Sequence, residues 1–328
     1  MLLLMNSCSE TSPLEPNDFS DEAAVRFTTT MQPSVEILPT RAMIDELPTK
    51  EGENQVGIYG LLTGSKNRKE SETFEWEVGT NVNFHQEMVN KQYLLNEGNT
   101  LSPANGKVDY HPSRGTSALA VYAYWPYNSE IDDDGYIPVN IEAQQDLLYT
   151  GKVLSIVNEE TNSFDPVELT FKHALGAVAF RFYTEDESLD GTAIRSIILN
   201  TNYSSEGVKV NVADGTFLTE GNSGICPIDL SGNVIRYAEE SADVMEAVGH
   251  TMLPAGRNCL ITGLALNYGE SEVASTVLET PVELTAGKVS VLRIKCNLQN
   301  TSVLQLATRA TTAADTEVTF TLEKMTTE

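Results

Sequence analysis

Short runs of β-branched and aromatic residues, each closed by turn residues, follow one another along almost the whole chain. Helical periodicity of useful length is nearly absent. Tight turns are marked by the dipeptides Asn105-Gly106, Asp134-Gly135 and Asp214-Gly215. The segments predicted as strands include Val25–Met31, Gln55–Leu62, Glu72–Asn83, Leu119–Trp125, Ala193–Leu199, Asn258–Leu266 and Lys288–Leu298. Short strands at this spacing favour β-sandwiches over a parallel sheet covered by helices.

The stretch Leu169–Tyr183 forms an apolar ladder that is broken only by Lys172-His173 and Gly176, and it lies near the midpoint of the chain. Its aromatic and β-branched content predicts one long buried strand. Turn-rich loops, Asn158–Pro166 and Glu185–Gly191, flank it on both sides. A chain of 328 residues exceeds what one hydrophobic core usually serves, so two domains are expected. We therefore interpret this stretch as the hinge strand between two halves.

The net charge of −26, from 21 Lys and Arg against 47 Asp and Glu, limits the possible partners. Nucleic acid is excluded because phosphate binding requires a basic surface. Electrostatic docking on anionic lipid is excluded for the same reason. An acidic surface of this kind makes copies of the protein repel one another, and it is typical of a protein exposed outside the cell.

No catalytic or metal-binding motif is found in the sequence. The patterns G-x-S-x-G, H-E-x-x-H and the Gly-rich phosphate loop are all missing, and the four His are scattered. Cys226, Cys259 and Cys296 have no C-x-x-C spacing and no His at metal-ligand spacing, which argues against zinc. We predict no enzymatic activity, no cofactor and no metal site.

The two ends of the chain carry short alternating strands that are set off from their neighbours. Val25–Met31 is followed by a Pro-rich segment, and Glu317–Glu323 follows the small polar segment Thr308–Thr316, interpreted as a flexible linker. Arg41-Ala42 lies between the first strand and the body, and a trypsin-like protease cleaves after such an exposed Arg.

Cleavage after Arg41 would release Val25–Met31, including Val25, Phe27 and Met31, and leave a groove with unpaired backbone groups. The alternation of Glu317–Glu323 can fill that groove in another molecule with Val318, Phe320 and Leu322. Such head-to-tail strand addition grows a filament. The alternative interpretation is that Arg41 is an ordinary surface arginine.

The pattern F-x-H-A-L-x-x-V-x-F at 171–180 resembles the central signature of the fimbrillin family, the type V pilin subunits of Bacteroidales. Further family-like segments occur in the expected order, and they cover nearly the whole chain. They are VRFTTTM at Val25–Met31, TRA at Thr40–Ala42, QVGIYG at Gln55–Gly60, VYAYWPY at Val121–Tyr127, DLLYTG at Asp146–Gly151, HTMLPAG at His250–Gly256 and LTAGKVSVLRI at Leu284–Ile294.

The resemblance implies an outer-membrane lipoprotein that becomes part of an extracellular fimbrium. It implies cleavage by an Arg-specific protease between Arg41 and Ala42, loss of the N-terminal strand, and strand exchange with other copies or other pilin subunits through the C-terminal segment. It also implies Cys8 as the lipid anchor, after a leader ending in Leu2–Met5. That leader has no basic region and only a short apolar run, so the alternative is a disordered N-terminus in which Cys8 has no role.

We therefore predict an all-β fold of two tandem transthyretin-like β-sandwich domains with a C-terminal strand appendage. The expected parts are a tether at 1–23, domains at 24–168 and 169–300, a removable strand within 24–41, and an appendage at 301–328 with the donor strand at 317–323. The predicted function is that of a type V pilus subunit.

The alternative function is a non-polymerising surface lipoprotein or tip adhesin that binds glycan or host protein. Tyr122 and Tyr124 are expected on one face of their strand, and Trp125 and Tyr127 on the other. One set can stack on sugar rings, but aromatic side chains more often fill sandwich cores.

Overall fold

A computed structural model describes most of the chain as strands. It covers residues 24–32, 43–80, 83–112, 117–131, 134–158, 160–161, 163–219, 221, 223–238, 247, 249–269, 272–298, 308–312 and 315–322, the last two ranges by their backbone. The only helices in these ranges are α1, Arg68–Glu72, and a 3-10 turn at Glu187–Leu189. Neither helix is long enough to cross a membrane. The all-β prediction is confirmed.

The first half of the chain forms an eight-stranded sheet that closes on itself. The strands of this half are β1 Phe27–Met31, β2 Gln55–Leu62, β3 Lys91–Asn96, β4 Thr100–Pro103, β5 Leu119–Trp125, β6 Tyr136–Pro138, β7 Leu148–Tyr149, β8 Val153–Ser155, β9 Val157–Asn158, β10 Ser163–Phe164 and β11 Val167–His173. Strands β2, β3, β4, β1, β11, β7 and β5 follow one another in the sheet, and β5 pairs back with β2, so these seven strands form a ring with β8 attached to β5.

Alternation along β2 and β5 divides the apolar side chains between two cores. Val56 and Ile58 of β2 belong to a cluster with Phe27 inside the ring. Residues on the opposite face, such as Tyr59, belong to a second cluster that continues into the other half of the chain. Strand periodicity thus allows one sheet to contribute to both cores.

The aromatic residues at the end of β5 fill these cores. Tyr122 and Tyr124 lie in the second cluster, and Trp125 lies in the cluster inside the ring, as the strand pattern predicts. Tyr127 packs against the second cluster and not against the cluster that contains Trp125, contrary to the prediction. The reason is that β5 ends at Trp125, which a cis peptide joins to Pro126, so strand alternation no longer applies to Tyr127.

The stretch predicted as one long strand is two strands in different sheets. Val167–His173 completes the ring, whereas Leu175–Thr184 (β12) belongs to the second half, and Ala174 separates them. The expected boundary between residues 168 and 169 therefore falls inside β11. Periodicity could not reveal this change, because both strands are apolar on their buried faces.

The second half is a sandwich of two sheets. Besides β12, its strands are β13 Ala193–Thr201, β14 Lys209–Asn211, β15 Phe217–Leu218, β16 Gly224–Val234, β17 Arg236–Tyr237, β18 Gly249–Pro254, β19 Leu260–Tyr268, β20 Glu272–Glu283, β21 Val289–Leu298, β22 Thr308–Thr312 and β23 Asp315–Leu322. One sheet follows the order β17, β12, β21, β23, β22, with β18 also paired to β12, and the other follows the order β16, β13, β19, β20. Phe180 and Leu292 of the first sheet share a core with Leu199 and Leu264 of the second.

The two halves are joined by a small sheet of their own. Strand β14 of the second half pairs with β6 of the first, with Val210 opposite Ile137, and β15 extends the sheet. Both Val210 and Ile137 are buried in the cluster that spans the halves. The halves therefore share backbone hydrogen bonds as well as a core.

The segment predicted as a strand at Glu72–Asn83 is the clearest error in the first half. The helix Arg68–Glu72 occupies its start, and Asn67 caps that helix by accepting from the backbone N–H groups of Lys69 and Glu70. An Asn followed three residues later by Glu70 is a helix-start signal, and the helix ends at the first residue of the predicted strand. The residues that follow, 73–80, form turns and irregular backbone.

Cys226, Cys259 and Cys296 are free thiols. Cys259 and Cys296 are fully buried, where a cysteine packs as a small apolar residue. Burial raises the pKa of Cys259 to about 12 and that of Cys296 above its usual range, so neither thiol is reactive at neutral pH.

Candidate strand-exchange site

The N-terminal strand β1 is an interior member of the ring. It runs parallel to β11, from Phe27 opposite Val167 to Met31 opposite Phe171, and antiparallel to β4, with Thr28 opposite Thr100. We call the place that it occupies, between Thr100–Pro103 and Val167–His173, the β1 slot. Loss of β1 would leave two facing strand edges without partners.

Backbone hydrogen bonds hold β1 and the two residues before it in the slot. The Val25 N–H donates to the Asp109 carbonyl at 2.8 Å, and the Val167 N–H donates to the Arg26 carbonyl at 2.7 Å. Further along, the Thr29 N–H donates to the Asn99 carbonyl at 2.9 Å. A strand that replaces β1 would therefore find backbone partners along both sides.

The side chains of β1 alternate as the sequence predicts. Val25, Phe27 and Thr29 are buried, whereas Arg26 and Thr30 are exposed. The Phe27 ring is 2% exposed and meets the Tyr93 ring edge to face, with centroids 5.2 Å apart. The slot thus offers defined apolar positions beneath its backbone edges.

Replacing Phe27 by leucine tests how much this aromatic contact contributes. The variant keeps an apolar side chain but loses the ring pair, which contributes about 0.5–1.5 kcal/mol beyond buried area. We expect the free energy of unfolding, measured by urea denaturation of the uncleaved protein, to fall by about 1–2 kcal/mol. Thr28→Ala is the control, since Thr28 lies on the opposite face; an equal loss in both variants would contradict the role of the ring pair.

A buried polar group lies beside the slot. The Lys91 ammonium donates to both carboxylate oxygens of Asp109 at 2.7 Å and to the Lys107 carbonyl at 3.1 Å. The Tyr93 hydroxyl also donates to Asp109. Burial and this hydrogen bond raise the pKa of Tyr93 well above its usual range. All of these partners lie on β3 or on residues 107–109, so no side chain of β1 takes part in these hydrogen bonds.

Two histidines lie next to the start of β1. Ala24 pairs with Tyr110, whose carbonyl is 2.6 Å from His85 Nε2. The buried His111 ring stacks on Phe164 at 3.7 Å, and its Nδ1 is 3.2 Å from Ser155 Oγ. Burial, together with the positive charges of His85 and Arg26, lowers the pKa of His111 to about 4. The folded protein therefore contains His111 as the neutral imidazole at neutral pH.

This pKa predicts a loss of stability in acid. The unfolded chain takes up a proton at His111 near pH 6.5, whereas the folded protein does not until about pH 4. The free energy of unfolding should therefore fall as the pH is lowered from about 6.5 to about 4. His111→Phe, which keeps the stacked ring, should flatten that dependence in urea titrations, and the exposed control His250→Gln should not. Identical slopes for the His111 variant and the unsubstituted protein would refute the assignment.

The chain that follows the predicted cleavage site is fastened separately from β1. The Ile44 N–H donates to Asp146 Oδ2 at 3.1 Å, and His173 Nδ1 lies 2.9 Å from the same oxygen. Asp146 and His173 are both buried. Met43 and Leu47 pack against the cores. Residues from Met43 onward thus have their own attachment to the body.

The predicted donor strand is also a strand in this structure. Strand β23 begins at Asp315 and runs parallel to β21, from Val291 opposite Asp315 to Leu298 opposite Leu322. The predicted linker at 308–316 is wrong in part, because Thr308–Thr312 forms β22 and pairs antiparallel with β23. Its threonines are β-branched and favour a strand over a flexible linker.

The other predicted site residues are not described by their side chains. Cys8, Arg41 and Ala42 lie outside the described residues, and Val318, Phe320 and Leu322 are described by backbone alone. The predictions missed Lys91, Asp109 and Asp146. Lys91 alternates with Tyr93 and Leu95, which places a lysine on the inward face of a strand, and that pattern is visible in the sequence.

Comparisons with known proteins assign the chain to a family. The family model described as fimbrillin-like matches residues 40–324. No curated protein matches.

Similar solved structures include a candidate cell-adhesion protein of Bacteroides uniformis, with 16% identity, coverage of 93% of this chain and 98% of that chain, and a TM-score of 0.47. A fimbrial protein of Bacteroides ovatus has 14% identity, coverage of 92% and 51%, and a TM-score of 0.38. A fimbrial assembly protein of Parabacteroides distasonis has 10% identity, coverage of 82% and 90%, and a TM-score of 0.42. Because the family model spans most of its length, the chain belongs to the fimbrillin-like family.

Proposed function

We propose that the chain is a structural subunit of a type V pilus, assembled by removal of its N-terminal strand and by strand donation between subunits. The fimbrillin-like family supports a fimbrial or adhesion protein of the cell surface. The observation that carries the assembly step is the position of β1. An N-terminal strand sits inside a closed ring with partners on both edges, so its departure creates an acceptor for a strand of the same kind.

The separate attachment of Met43–Leu47 supports the proposed cleavage after Arg41. Asp146 accepts from the Ile44 N–H, and β1 is held by a different set of contacts with Asp109, Asn99 and Val167. A cut between these two attachments would free β1 and leave the new N-terminus on the body. The protease is proposed to be Arg-specific and trypsin-like.

Cys8 is proposed as the lipid anchor of an outer-membrane precursor, and the mature subunit is proposed to reside in the extracellular fimbrium. The acidic surface, with a net charge of −26, suits a subunit that must stay apart from its copies until its strand is removed. Assembly by strand exchange then depends on backbone pairing and apolar pockets rather than on charge attraction.

A second candidate function is a non-polymerising surface lipoprotein or tip adhesin that binds glycan or host protein. A cavity of about 460 Å³ favours it, because the cavity combines Tyr127 with the amides of Asn128, Asn140 and Gln145. An aromatic face with several amides is a common arrangement for sugar hydroxyls and rings. This function does not require β23 to leave its own subunit.

Limited trypsin digestion of the purified protein tests the proposed function. Mass spectrometry locates the cuts, and unboiled denaturing gels and electron microscopy follow the product. We expect a preferred cut after Arg41 followed by detergent-resistant ladders or filaments. Arg41→Gln should block both, whereas Arg68→Gln, which changes an exposed helix residue, should block neither. A clean cut that leaves only monomers would favour the adhesin, and no preferred cut at Arg41 would refute the processing step.

A further inference from the structure

The first and last strands of this chain repeat the same short sequence. Val25-Arg26-Phe27-Thr28 comprises the two residues before β1 and the first two residues of β1, and Val318-Thr319-Phe320-Thr321 lies within β23. Both segments share the pattern V-x-F-T, and Val25 and Phe27 are both buried. The candidate donor therefore carries valine and phenylalanine at the spacing that the β1 slot already accommodates.

The β1 slot is selective at these positions. Val25 is 7% exposed and Phe27 is 2% exposed, and the Phe27 ring meets the edge of Tyr93. The next inward residue, Thr29, is also buried, but its hydroxyl makes only a long contact of 3.4 Å with the Asn99 carbonyl. A leucine at that position would give up little hydrogen bonding and would bury more apolar surface.

The strand direction is also matched between the two ends of the chain. Strand β1 runs parallel to β11, the last strand of the first half. Strand β23 runs parallel to β21, the last long strand of the second half. Moving from β21 of its own subunit to β11 of another would exchange one parallel partner for another, with no reversal of the hydrogen-bonding pattern.

We propose that β23 of a second copy of this chain enters the vacated β1 slot in the same direction and register as β1, with Val318, Phe320 and Leu322 replacing Val25, Phe27 and Thr29. This inference rests on the pilus function proposed above and specifies its partner as an identical subunit. In this register Thr321 takes the place of Thr28, opposite Thr100 of the acceptor.

Other registers fit the slot less well. A shift by one residue would turn the apolar face of the donor outward. A shift by two residues in one direction would put Val318 in the Phe27 position and leave a cavity, while Phe320 would be forced into the position of Thr29. The opposite shift would put Phe320 in the Val25 position and overpack it. Only the proposed register places like side chains at Val25 and Phe27.

Cysteine cross-linking measures the register directly. Thr28 and Thr100 are opposite residues of an antiparallel pair, so a Thr28→Cys/Thr100→Cys precursor should form an internal disulfide and serves as the positive control. Three test proteins combine Thr100→Cys with Thr319→Cys, Thr321→Cys or Glu323→Cys. A two-residue shift moves the donor Cα by about 6.8 Å, which takes it out of disulfide range. Cys8 and Cys226 are replaced by serine in every protein, and the buried Cys259 and Cys296 are kept.

Each protein is cleaved, allowed to assemble and oxidised, and its ladder is then read on boiled, non-reducing gels. We expect boiling-resistant intersubunit bands with Thr321→Cys and their loss with Thr319→Cys and Glu323→Cys. Two results would overturn the proposed register while leaving strand exchange intact. In the first, the proteins assemble but the strongest bands come from Thr319→Cys or Glu323→Cys. In the second, the proteins assemble but none of the three variants gives boiling-resistant bands. The parent protein carries only the serine replacements. If it does not assemble after cleavage, the proposed pilus function is overturned, and the proposed register with it.

Discussion

Replacing Asp109 by alanine is expected to lower the free energy of unfolding by about 3–5 kcal/mol, because it leaves the Lys91 ammonium buried without its counter-charge. Lys91 and Asp109 are only 7% and 3% exposed, so water cannot take over the lost contacts. The Tyr93 hydroxyl loses its acceptor in the same variant. Urea denaturation, monitored by circular dichroism, measures the decrease in the free energy of unfolding.

The matched control is an exposed ion pair in the same region. Lys107 and Glu87 lie 3.4 Å apart and are 68% and 65% exposed, so Glu87→Ala should change stability by less than about 1 kcal/mol. The double variant Lys91→Met/Asp109→Leu should recover much of the loss, since it removes both buried charges. Equal losses for Asp109→Ala and Glu87→Ala would show that the buried pair contributes no more than a surface contact.

The buried pair of Lys91 and Asp109 also affects the stability of a subunit whose β1 slot is empty. The side-chain hydrogen bonds of Lys91 and Asp109 are made only with β3 and residues 107–109, whereas the N-terminal strand contributes the Val25 N–H to the backbone carbonyl of Asp109. The ion pair therefore keeps its own hydrogen bonds when β1 leaves. An empty slot would then expose apolar surface and two strand edges, but no unpaired buried charge. Such a slot can bind a donor strand through its free edges, and the folded subunit does not bear the free-energy cost of an unpaired buried charge. If a polar side chain of β1 paired with Asp109, loss of β1 would add that cost and destabilise the cleaved subunit.

The sequence predicted individual strands better than it predicted their partners. The bounds of β2 and β5 were predicted correctly, because each is a compact apolar run that ends at turn residues or at Pro126. The division at Ala174 was missed, because periodicity reports burial and does not report which sheet buries a residue. The parallel pairing of β1 with β11 joins residues 140 positions apart, such as Phe27 and Val167. Local patterns carry no information on contacts at that separation.

The candidate site was predictable to the same extent. The inward face of β1 follows from the alternation of Val25, Phe27 and Thr29. The pair of Lys91 and Asp109 does not, because Asp109 lies outside the strands, in the segment after β4, where no periodic pattern indicates the direction of its side chain. The fastening of Ile44 by Asp146 is likewise a contact between distant loops. Side chains in loops are placed by the tertiary fold, which is why sequence patterns did not identify them.

Deleting Glu317–Glu328 is expected to abolish polymerisation without affecting cleavage after Arg41. Strand β23 is the only candidate donor that the proposed mechanism provides, and its removal leaves the slot of every cleaved subunit unfilled. The cleaved, truncated protein should run as a monomer on unboiled denaturing gels and show no filaments by electron microscopy. Full-length protein, treated in parallel, should give the ladder.

Two controls separate loss of the donor from damage to the fold. Deleting only residues 325–328 leaves the donor strand in place and should assemble normally. Circular dichroism of the longer deletion must retain the β-sheet signal, because β23 also pairs with β21 of its own subunit. If the well-folded long deletion still forms ladders, β23 is not the donor. If instead neither full-length nor truncated protein polymerises and both bind the same glycan, the adhesin is the correct function, because ligand binding in the cavity beside Tyr127 does not require a free C-terminal strand.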